Sequence, residues 1–436
     1  MECAHQLYRQ RDPKQSPLWR LVVDHYEELK RTYRERFEGT YGRWQGHWDH
    51  CVREFLRCGD VHFGFARVWC FTCKCTYLVP MTCKARAMCP SCEAKRRAVW
   101  AEHVIEQVLP PGIAYVMLVF TIPRCLRRIF LRERTLLGDF ARVACACTRR
   151  FLAEQFPGID GKPYFVTSLQ TWGDMVQPHP HIHSLCSLGI KSADGTFHAV
   201  PEDLDFAPLE ELFRHAILTM LVEKKRITEE TRRRLLSWRH SGFSADGSRR
   251  VAPDDTEGLH RLACYVLRPP VSLQRLTYTS GSQVAVYRGS KYNPSTKSNF
   301  QAIDAKEFLV HLLLHVPKKG ECVVRYFGAA ASTERRGTPV LLDPATAEDA
   351  GFARKSRRAW ARLIRRVYGA DPLRCHRCGS AMKVIAFIHD PDVIRKILQH
   401  LDRWDPPRGP PFAEPVRERT VEYDPFADFP DHDTDC

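Results

Sequence analysis

The sequence lacks the features of a membrane-spanning or exported protein. Its 436 residues contain no run of about 18 apolar side chains, so no membrane span is expected. The first residues, MECAHQLYRQRDPKQ, have no apolar core, which argues against a signal peptide and predicts a cytosolic protein. There is also no HExxH motif and no internal repeat, and the first of these absences argues against a metallohydrolase of that kind.

Positive charge and cysteine are abundant instead. The formal net charge of +15 indicates an anionic partner, and arginine suits bidentate contacts to phosphate. The 18 cysteines, in a chain without a secretory signal, indicate metal sites rather than disulfides. Eight of the 18 lie between Cys51 and Cys92, which is the clustering that a metal site produces.

Composition and periodicity divide the chain into five regions. Strand patterns at 112–122, 164–172 and 181–190 alternate with helical patterns at 128–156 and 257–267, which predicts an α+β fold. The polar stretch SGFSADGSRRVAPDD is read as turns. The predicted regions are a helical segment (1–50), a zinc-binding domain (51–108), a central domain (109–330), a basic helical region with a CxxC pair (331–408, its helix at about 352–368) and a disordered tail (409–436).

The cysteine spacing predicts structural zinc. Cys70-x2-Cys73 and Cys89-x2-Cys92 are separated by 15 residues, so four thiolates can converge on one Zn²⁺. A second zinc is left open: further candidate ligands are Cys58, Cys83, Cys375 and Cys378, and the spacing alone does not partition them. For Cys375 and Cys378, two structural cysteines in a turn remain an alternative. The zinc is expected to cross-link and stabilise a domain that has little hydrophobic core of its own.

Basic residues around the last CxxC pair indicate contact with DNA. The predicted contacts are Arg86, Lys95, Arg96 and Arg97, although a solvated basic face would have the same composition.

The motif His179-Pro180-His181-Ile182-His183 carries the predicted chemistry. In a strand His181 and His183 share one face, and two imidazoles at that spacing form a natural pair of metal ligands. If 164–172 and 181–190 form a hairpin, Gln170 supplies an amide oxygen on the same face. Such a site suits Mg²⁺ or Mn²⁺ and the polarisation of a phosphate. The alternative is a set of histidines that are exposed or satisfied by the backbone.

These motifs together resemble the HUH endonucleases, and their order is similar to that in the rolling-circle insertion-sequence transposases of the IS91 group. The matching segments are CFTC at 70–73, CKARAMCPSC at 83–92, HPHIH at 179–183 and LACYVLRPPVSLQRL at 262–276. The resemblance covers about residues 45–400.

The resemblance implies a fold and an activity. The fold is a central antiparallel-sheet HUH (ferredoxin/RRM-like) nuclease domain with flanking helices, preceded by a zinc-ribbon-like domain. Tyr265 would attack single-stranded DNA at transposon-end hairpins and form a 5′-phosphotyrosine. Part of the group has a second tyrosine four residues earlier; Arg261 stands there, so the chain resembles the single-tyrosine branch. A bacterial, cytoplasmic and nucleoid-associated protein is expected, and its oligomeric state is left open.

Two further residues are candidates for DNA contact. Arg268 follows Tyr265 by about one helical turn and is placed to reach the scissile phosphate, and Lys291 lies in a basic, aromatic-bearing segment. Two other functions use some of the same features. One is a plasmid- or phage-type replication initiator that nicks DNA, and the other is a zinc-finger DNA-binding protein without catalysis, which leaves the histidine pair unexplained.

Overall fold

The computed structural model describes residues 13–201, 203–293, 298–331 and 373–404. The basic helix expected at about 352–368 and the tail 409–436 lie outside these ranges. Among the described residues, every helix is too short or too polar to cross a membrane.

Helices surround the strands in the described ranges. They are, in chain order, α1 (Pro17–Arg36), α2 (Glu38–Tyr41), α3 (Gly46–Arg57), α4 (Pro90–His103), α5 (Arg124–Arg132), α6 (Leu136–Ala153), α7 (Ala207–Glu223), α8 (Glu229–Leu236), α9 (Thr256–Val266), α10 (Ala305–Leu314) and α11 (Pro391–His400).

The strands are mostly short and pair antiparallel. They are β1 (Phe65–Cys70), β2 (Thr76–Pro80), β3 (Tyr115–Thr121), β4 (Gly161–Lys162), β5 (Tyr164–Trp172), β6 (Pro178–Ser187), β7 (Gly189–Ser192), β8 (Phe197–Ala199), β9 (Ser244–Val251), β10 (Leu276–Thr277), β11 (Val284–Asn293), β12 (Ser298–Asp304), β13 (Val324–Gly328) and β14 (Met382–Ile388). The mixture of helices with antiparallel sheets is the expected α+β class.

The largest sheet has five strands in the order β13-β5-β6-β3-β9. Its central strand, β6, pairs antiparallel with β5 and β3, so both neighbours cover its edges. Because side chains alternate between the two faces of a strand, β6 sends Ile182 to one face and Leu185 to the other. Both faces of the sheet are therefore apolar. Because β3 also lies in the interior of this sheet, its side chains are apolar on both faces, which explains the continuous apolar run at 112–122.

Helices cover both faces of this sheet. On one face Phe120, Phe165 and Ile182 pack with Phe140 of α6 and Phe213 of α7 in the largest core. On the other face Met117, Val166 and Leu185 pack with residues of α4 and α9, among them Trp100, Ala263 and Val266. The five-stranded sheet is therefore the middle layer of three, and α9 lies directly against it.

A second core joins distant parts of the sequence. Leu21, Tyr26 and Leu29 of α1 and Val52 of α3 are buried with Phe308, Leu309 and Leu312 of α10 and with Tyr287 of β11. The first helices, predicted as a separate segment over residues 1–50, thus share a core with residues predicted to belong to the central domain.

A small three-stranded sheet has the order β14-β1-β2. Its strand β14 comes from the C-terminal part of the chain and pairs antiparallel with β1 from Phe65↔Ile388 to Cys70↔Met382. Helix α11 contributes Ile394 and Leu398 to a small cluster with Phe65 and Leu78. Residues 373–404 therefore belong structurally with 65–80, although composition and periodicity predicted a separate region there.

Two secondary-structure predictions were wrong. The helix predicted at 128–156 is broken into α5 and α6, and Arg134 in the break forms an ion pair with Glu321 at 2.7 Å and donates to the Leu314 carbonyl. The stretch predicted as turns contains β9, which pairs with β3 and alternates buried Ala245 and Gly247 with exposed residues. Pairing with a buried strand stabilised β9 despite its polar composition.

Candidate functional site

The predicted hairpin of β5 and β6 is confirmed. In its register Gln170 lies opposite His181 and Ser168 lies opposite His183. On the other side β3 places Thr121 opposite His181 and Val119 opposite His183. The two histidines therefore occupy the middle of the sheet, on the face that α9 covers.

The two imidazoles converge. Nε2 of His181 lies 2.9 Å from Nε2 of His183, and the ring centroids are 4.8 Å apart. Nδ1 of His181 lies 2.8 Å from the His179 carbonyl oxygen, which can only accept, so this Nδ1 carries the proton. The lone pair of the His181 ring is thereby directed from Nε2 towards His183.

Burial keeps both rings neutral. The pKa of His181 is well below its usual range because the ring is desolvated and lies beside His183. Desolvation, with the positive charges of Arg268 and Arg249, lowers the pKa of His183 to about 3. At neutral pH both histidines can therefore offer lone pairs, which is the protonation state that a metal ion requires.

In the part of the chain that the structure describes, the side-chain amide of Gln170 forms a hydrogen bond through its nitrogen but not through its oxygen. Its Nε2 donates to the Val266 carbonyl oxygen at 2.8 Å, while Oε1 is buried with no hydrogen-bond partner among the described residues. A buried amide oxygen without a partner is costly and indicates a ligand. Because Val266 follows Tyr265, the same hydrogen bond ties the strand that bears Gln170 to the helix that bears the tyrosine.

Tyr265 reaches the histidines from α9. This helix begins at Asp255, whose side chain accepts from the Gly258 N–H, and it ends with Val266. The Tyr265 ring packs edge-on against His183, with centroids 5.2 Å apart. The last turn of α9 thus brings a phenol to the histidine pair without placing it on a loop.

Two arginines flank the phenol. Nη1 of Arg268 donates to the Tyr265 hydroxyl at 3.3 Å, and its Cζ lies 5.4 Å from the ring centroid. Arg249 lies over the same ring at 5.0 Å. A hydroxyl, two neutral imidazoles and two guanidinium groups therefore face one another, which is a set that can hold and activate a phosphate group.

Arg249 was not predicted as a site residue, because its polar segment was expected to form turns. In the structure it lies on β9 opposite Met117, so its side chain shares the face of the histidines. The spacing of Ala245, Gly247 and Val251 was a weak strand pattern, but nothing in it indicated which face Arg249 would occupy.

The donor set fits a divalent cation. Two nitrogen ligands at about 2.1 Å and roughly right angles from one ion lie about 3 Å apart, and the two Nε2 atoms lie 2.9 Å apart. The unused Oε1 of Gln170 adds an oxygen donor on the same face. Neutral nitrogen and oxygen donors with few protein ligands are typical of sites that leave positions open for substrate.

The cysteines form two groups, and this corrects the predicted pairing of the two CxxC motifs on one ion. Cys58, Cys83, Cys89 and Cys92 lie together, and Cys70, Cys73, Cys375 and Cys378 lie together; in each group the Sγ atoms are within 4.8 Å of one another. The two CxxC pairs that were expected to share one ion are therefore separated. β1 and β2 carry the first pair into the small sheet, whereas the second pair begins α4.

The first group joins α3 to α4. Cys58 ends α3 and Cys89 precedes α4, and Sγ of Cys58 lies 3.7 Å from Sγ of both Cys89 and Cys92. Sulfur atoms bound tetrahedrally at about 2.3 Å lie about 3.8 Å apart. Since α4 packs against α9 through Trp100 and Ala101, this group anchors a helix that supports the one carrying Tyr265.

The predicted DNA contacts have different surroundings. Arg86 donates to the carbonyl oxygens of Glu321 and Lys318 at 3.1 and 3.3 Å, and Arg96 lies 3.6 Å from Glu93. Lys95 and Arg97 lie on α4, both half-buried, and Arg268 contacts Tyr265. Lys291 is in β11, but its side chain lies outside the described part of the structure.

Two family models match the chain. One, described as "Putative transposase", matches residues 165–337, and the other, described as "Transposase zinc-binding domain", matches residues 25–122. The first match includes the histidines and Tyr265, and the second includes the first group of cysteines and half of the second group.

Two curated proteins are similar along much of their length. The transposase for insertion sequence element IS801 of Pseudomonas savastanoi pv. phaseolicola is 26% identical over 371 residues, which is 77% of this chain and 83% of the relative. The putative transposase y4qJ of Sinorhizobium fredii is 26% identical over 257 residues, which is 55% of this chain and 64% of that protein. No solved structure matches the chain.

Proposed function

The chain belongs to the IS91 family of transposases with an N-terminal zinc-binding domain, and on that premise we propose that it nicks and joins single-stranded DNA at transposon ends. A DNA-cleaving and strand-transferring activity follows from the family. The finer proposal is an HUH-type reaction with Tyr265 as the nucleophile and His181, His183 and Gln170 as ligands of Mg²⁺ or Mn²⁺. The five-stranded antiparallel sheet with helices on both faces supports the HUH type of fold.

The observation that carries the proposal is the contact between Tyr265 and His183 at 5.2 Å. The two residues come from a helix and a strand far apart in the sequence, and the fold brings a hydroxyl beside two buried neutral imidazoles. A metal-dependent transesterification requires this combination of groups.

Cleavage breaks one ester bond and forms another. The Tyr265 hydroxyl attacks phosphorus and loses its proton, the bond from phosphorus to the 3′ oxygen breaks, and that oxygen leaves as a 3′-hydroxyl after taking up a proton. The product is a 5′-phosphotyrosine. Joining is the reverse reaction with a different 3′-hydroxyl, and it restores the tyrosine. A covalent intermediate conserves the ester bond, which suits transposition better than hydrolysis does.

The residues of the site divide this work. The divalent cation, when bound, polarises the scissile phosphate. His181 Nδ1 donates to the His179 carbonyl oxygen and Gln170 Nε2 donates to the Val266 carbonyl oxygen, and these two hydrogen bonds orient the side chains. Arg268 donates to the hydroxyl that becomes the ester oxygen, and Arg249 adds a second positive charge on the tyrosine ring. Both arginines offset the negative charge that develops during attack.

A single tyrosine implies one covalent attachment per protomer. Arg261 occupies the position of the second tyrosine found in part of the family, and it forms an ion pair with Glu257 at 3.0 Å on the exposed side of α9. Its side chain is thus directed to solvent and to its own helix.

Incubation with 5′- or 3′-labelled single-stranded oligonucleotides from transposon ends and Mn²⁺ tests the proposal. We expect protein attached to the 5′ end of the downstream fragment, and no attachment with Tyr265→Phe. The matched control is Tyr164→Phe, which removes a hydroxyl from the opposite end of β5. An adduct that persists in Tyr265→Phe would refute the nucleophile. Binding without cleavage by the wild-type protein would favour a DNA-binding role alone.

A further inference from the structure

The second group of cysteines draws its members from both ends of the described chain. We propose that Cys70, Cys73, Cys375 and Cys378 form a second zinc site, which fastens residues 373–404 to the N-terminal zinc-binding domain. The family match for that domain ends at residue 122 and so contains only two of the four thiols. The inference does not depend on the chemistry of Tyr265.

The thiols have the spacing of a tetrahedral zinc site. Sγ of Cys70 lies 3.5 Å from Sγ of Cys378, and Sγ of Cys73 lies 3.5 Å from Sγ of Cys375. All four are free thiols. These distances are close to the value of about 3.8 Å for sulfur atoms that share one Zn²⁺, and far from the bond length of about 2 Å in a disulfide.

The two CxxC turns are built alike. The Cys70 N–H donates to the Cys75 carbonyl and the Cys375 N–H to the Ser380 carbonyl, both at 2.9 Å. In each turn the residue after the second cysteine has a left-handed backbone, with φ 60 at Lys74 and φ 72 at Gly379. Two segments without sequence repetition thus adopt the same tight turn and direct their thiols to one point, as paired zinc knuckles do.

The core beneath these turns is too small to hold them alone. Apart from the cysteines, the two clusters of the small sheet and α11 contain nine buried apolar side chains: Ala66, Val68, Val79, Met382 and Val384 beneath the turns, and Phe65, Leu78, Ile394 and Leu398 beside α11. A unit with so few buried side chains usually needs a disulfide or a metal for stability. A Zn²⁺ bound by all four thiolates would supply that stability at the exposed end of the sheet, where β1 ends at Cys70.

The site would close a very long loop. Cys73 and Cys375 are 302 positions apart, and Cys70 and Cys378 are 308 apart. The five-stranded sheet, α9 and the Tyr265 site lie between them in the chain. Joining such distant residues removes much of the freedom of the unfolded chain, so the ion would fix where the C-terminal segment returns.

Zinc content measured on full-length variants tests the shared site. We expect two tightly bound Zn²⁺ per chain in the wild-type protein and one in either Cys70→Ser/Cys73→Ser or Cys375→Ser/Cys378→Ser. The fourfold variant should also keep one, because the two pairs share an ion. The matched control, Cys125→Ser/Cys322→Ser, alters thiols outside both groups and should keep two. Two zinc ions retained without Cys375 and Cys378, or none in the fourfold variant, would overturn the proposal.

A nicked protein tests the attachment without any loss of thiols. A recognition site for a specific protease is inserted within 332–372, and the protein is cleaved there. The C-terminal fragment should co-elute with the remainder in gel filtration and should be released at least tenfold faster after a zinc chelator is added. The same release should follow Cys375→Ser/Cys378→Ser without chelator. If the fragment dissociates from the zinc-loaded protein, or stays equally bound with and without zinc, the site does not fasten residues 373–404 to the zinc-binding domain.

Discussion

The histidine site and the cysteine groups are both candidate metal sites, but they are built for opposite purposes. The histidine site offers two neutral nitrogens and one amide oxygen, with a tyrosine and two arginines beside them. Each cysteine group offers four sulfur atoms that can complete a tetrahedron. A closed set of ligands stabilises structure, whereas an open set admits substrate. Changes to the cysteines should therefore affect folding first, and changes to the histidine site should affect catalysis first.

The largest expected effect is on stability, at the first cysteine group. Cys89 is fully buried and links α3 to α4. Cys89→Ser should lower the free energy of unfolding by at least about 5 kcal/mol, because structural zinc contributes to folding directly. Chemical denaturation with zinc analysis measures this. Cys51→Ser, which alters a neighbouring buried thiol outside the group, should keep both zinc ions; loss of zinc in that variant would contradict the grouping.

A catalytic effect with a small change in folding is expected for the histidine pair. His183→Gln should reduce cleavage of single-stranded DNA by about 10³-fold, since it removes a proposed metal ligand and the ring against Tyr265. The free energy of unfolding should fall by only about 1–2 kcal/mol. His198→Gln, which lies on β8 and bonds Ser192, is the control and should leave cleavage unchanged. Full activity of His183→Gln would remove the basis for an open metal site.

Acid should destabilise the protein through the buried histidines. The folded pKa of His183 is about 3 because of burial and the nearby arginines, whereas an unfolded histidine titrates near 6.5. The unfolded state therefore binds more protons between these values. The free energy that the neutral His183 contributes to folding is fully present above about pH 6.5 and is lost progressively as the pH falls towards 3. For His183 alone the loss is about 2 kcal/mol at pH 5.

Urea denaturation of the metal-free protein at pH 7.5 and pH 5 measures this loss. His183→Gln should reduce the difference between the two pH values by about 2 kcal/mol. His198→Gln, on β8, is the control for the replacement of a histidine by glutamine. An equal pH dependence in the wild-type protein and His183→Gln would show that the ring is not held neutral.

Arg249 is expected to assist cleavage rather than folding. Arg249→Ala should slow cleavage by about tenfold, because one of the two positive charges at the tyrosine is lost. Its neighbour Arg250 is a matched control, since it packs over Phe206 and donates to the Leu204 carbonyl on the other side of β9. The rate of single-turnover cleavage at saturating DNA is measured for the Arg249 and Arg250 variants. Equal rates for both variants would place Arg249 outside the site.

Local patterns explain what the sequence could predict. The two-residue spacing of His181 and His183 fixed a shared face, and the short link between β5 and β6 set the register that brings Gln170 opposite His181. A strand period and a hairpin act over a few residues, so they can be read directly.

Long-range pairing explains what the sequence could not predict. Each CxxC pair was recognisable, but its partner pair depends on how β1 meets β14, more than 300 positions away. The position of Arg249 likewise depends on β9 pairing with β3, although its own segment is polar. Tyr265 was identified only through the family resemblance, because one tyrosine on a helix has no distinguishing pattern. Tertiary context decides these features.

Arg86 and Arg97 were both predicted to contact DNA, but the structure gives them different surroundings, and the effects expected from replacing them are small. Both belong to the basic set around the last CxxC pair, but Arg86 donates to two backbone carbonyls, whereas Arg97 has no hydrogen bond or ion pair within the described residues. Arg86→Ala should lower the free energy of unfolding by about 1 kcal/mol and change DNA affinity less than about twofold. Arg97→Ala should leave stability within about 0.5 kcal/mol and reduce the salt dependence of DNA binding by about one unit of slope. If Arg86→Ala instead reduced the salt dependence of DNA binding and Arg97→Ala lowered the free energy of unfolding, Arg86 would be the DNA contact and Arg97 the structural support.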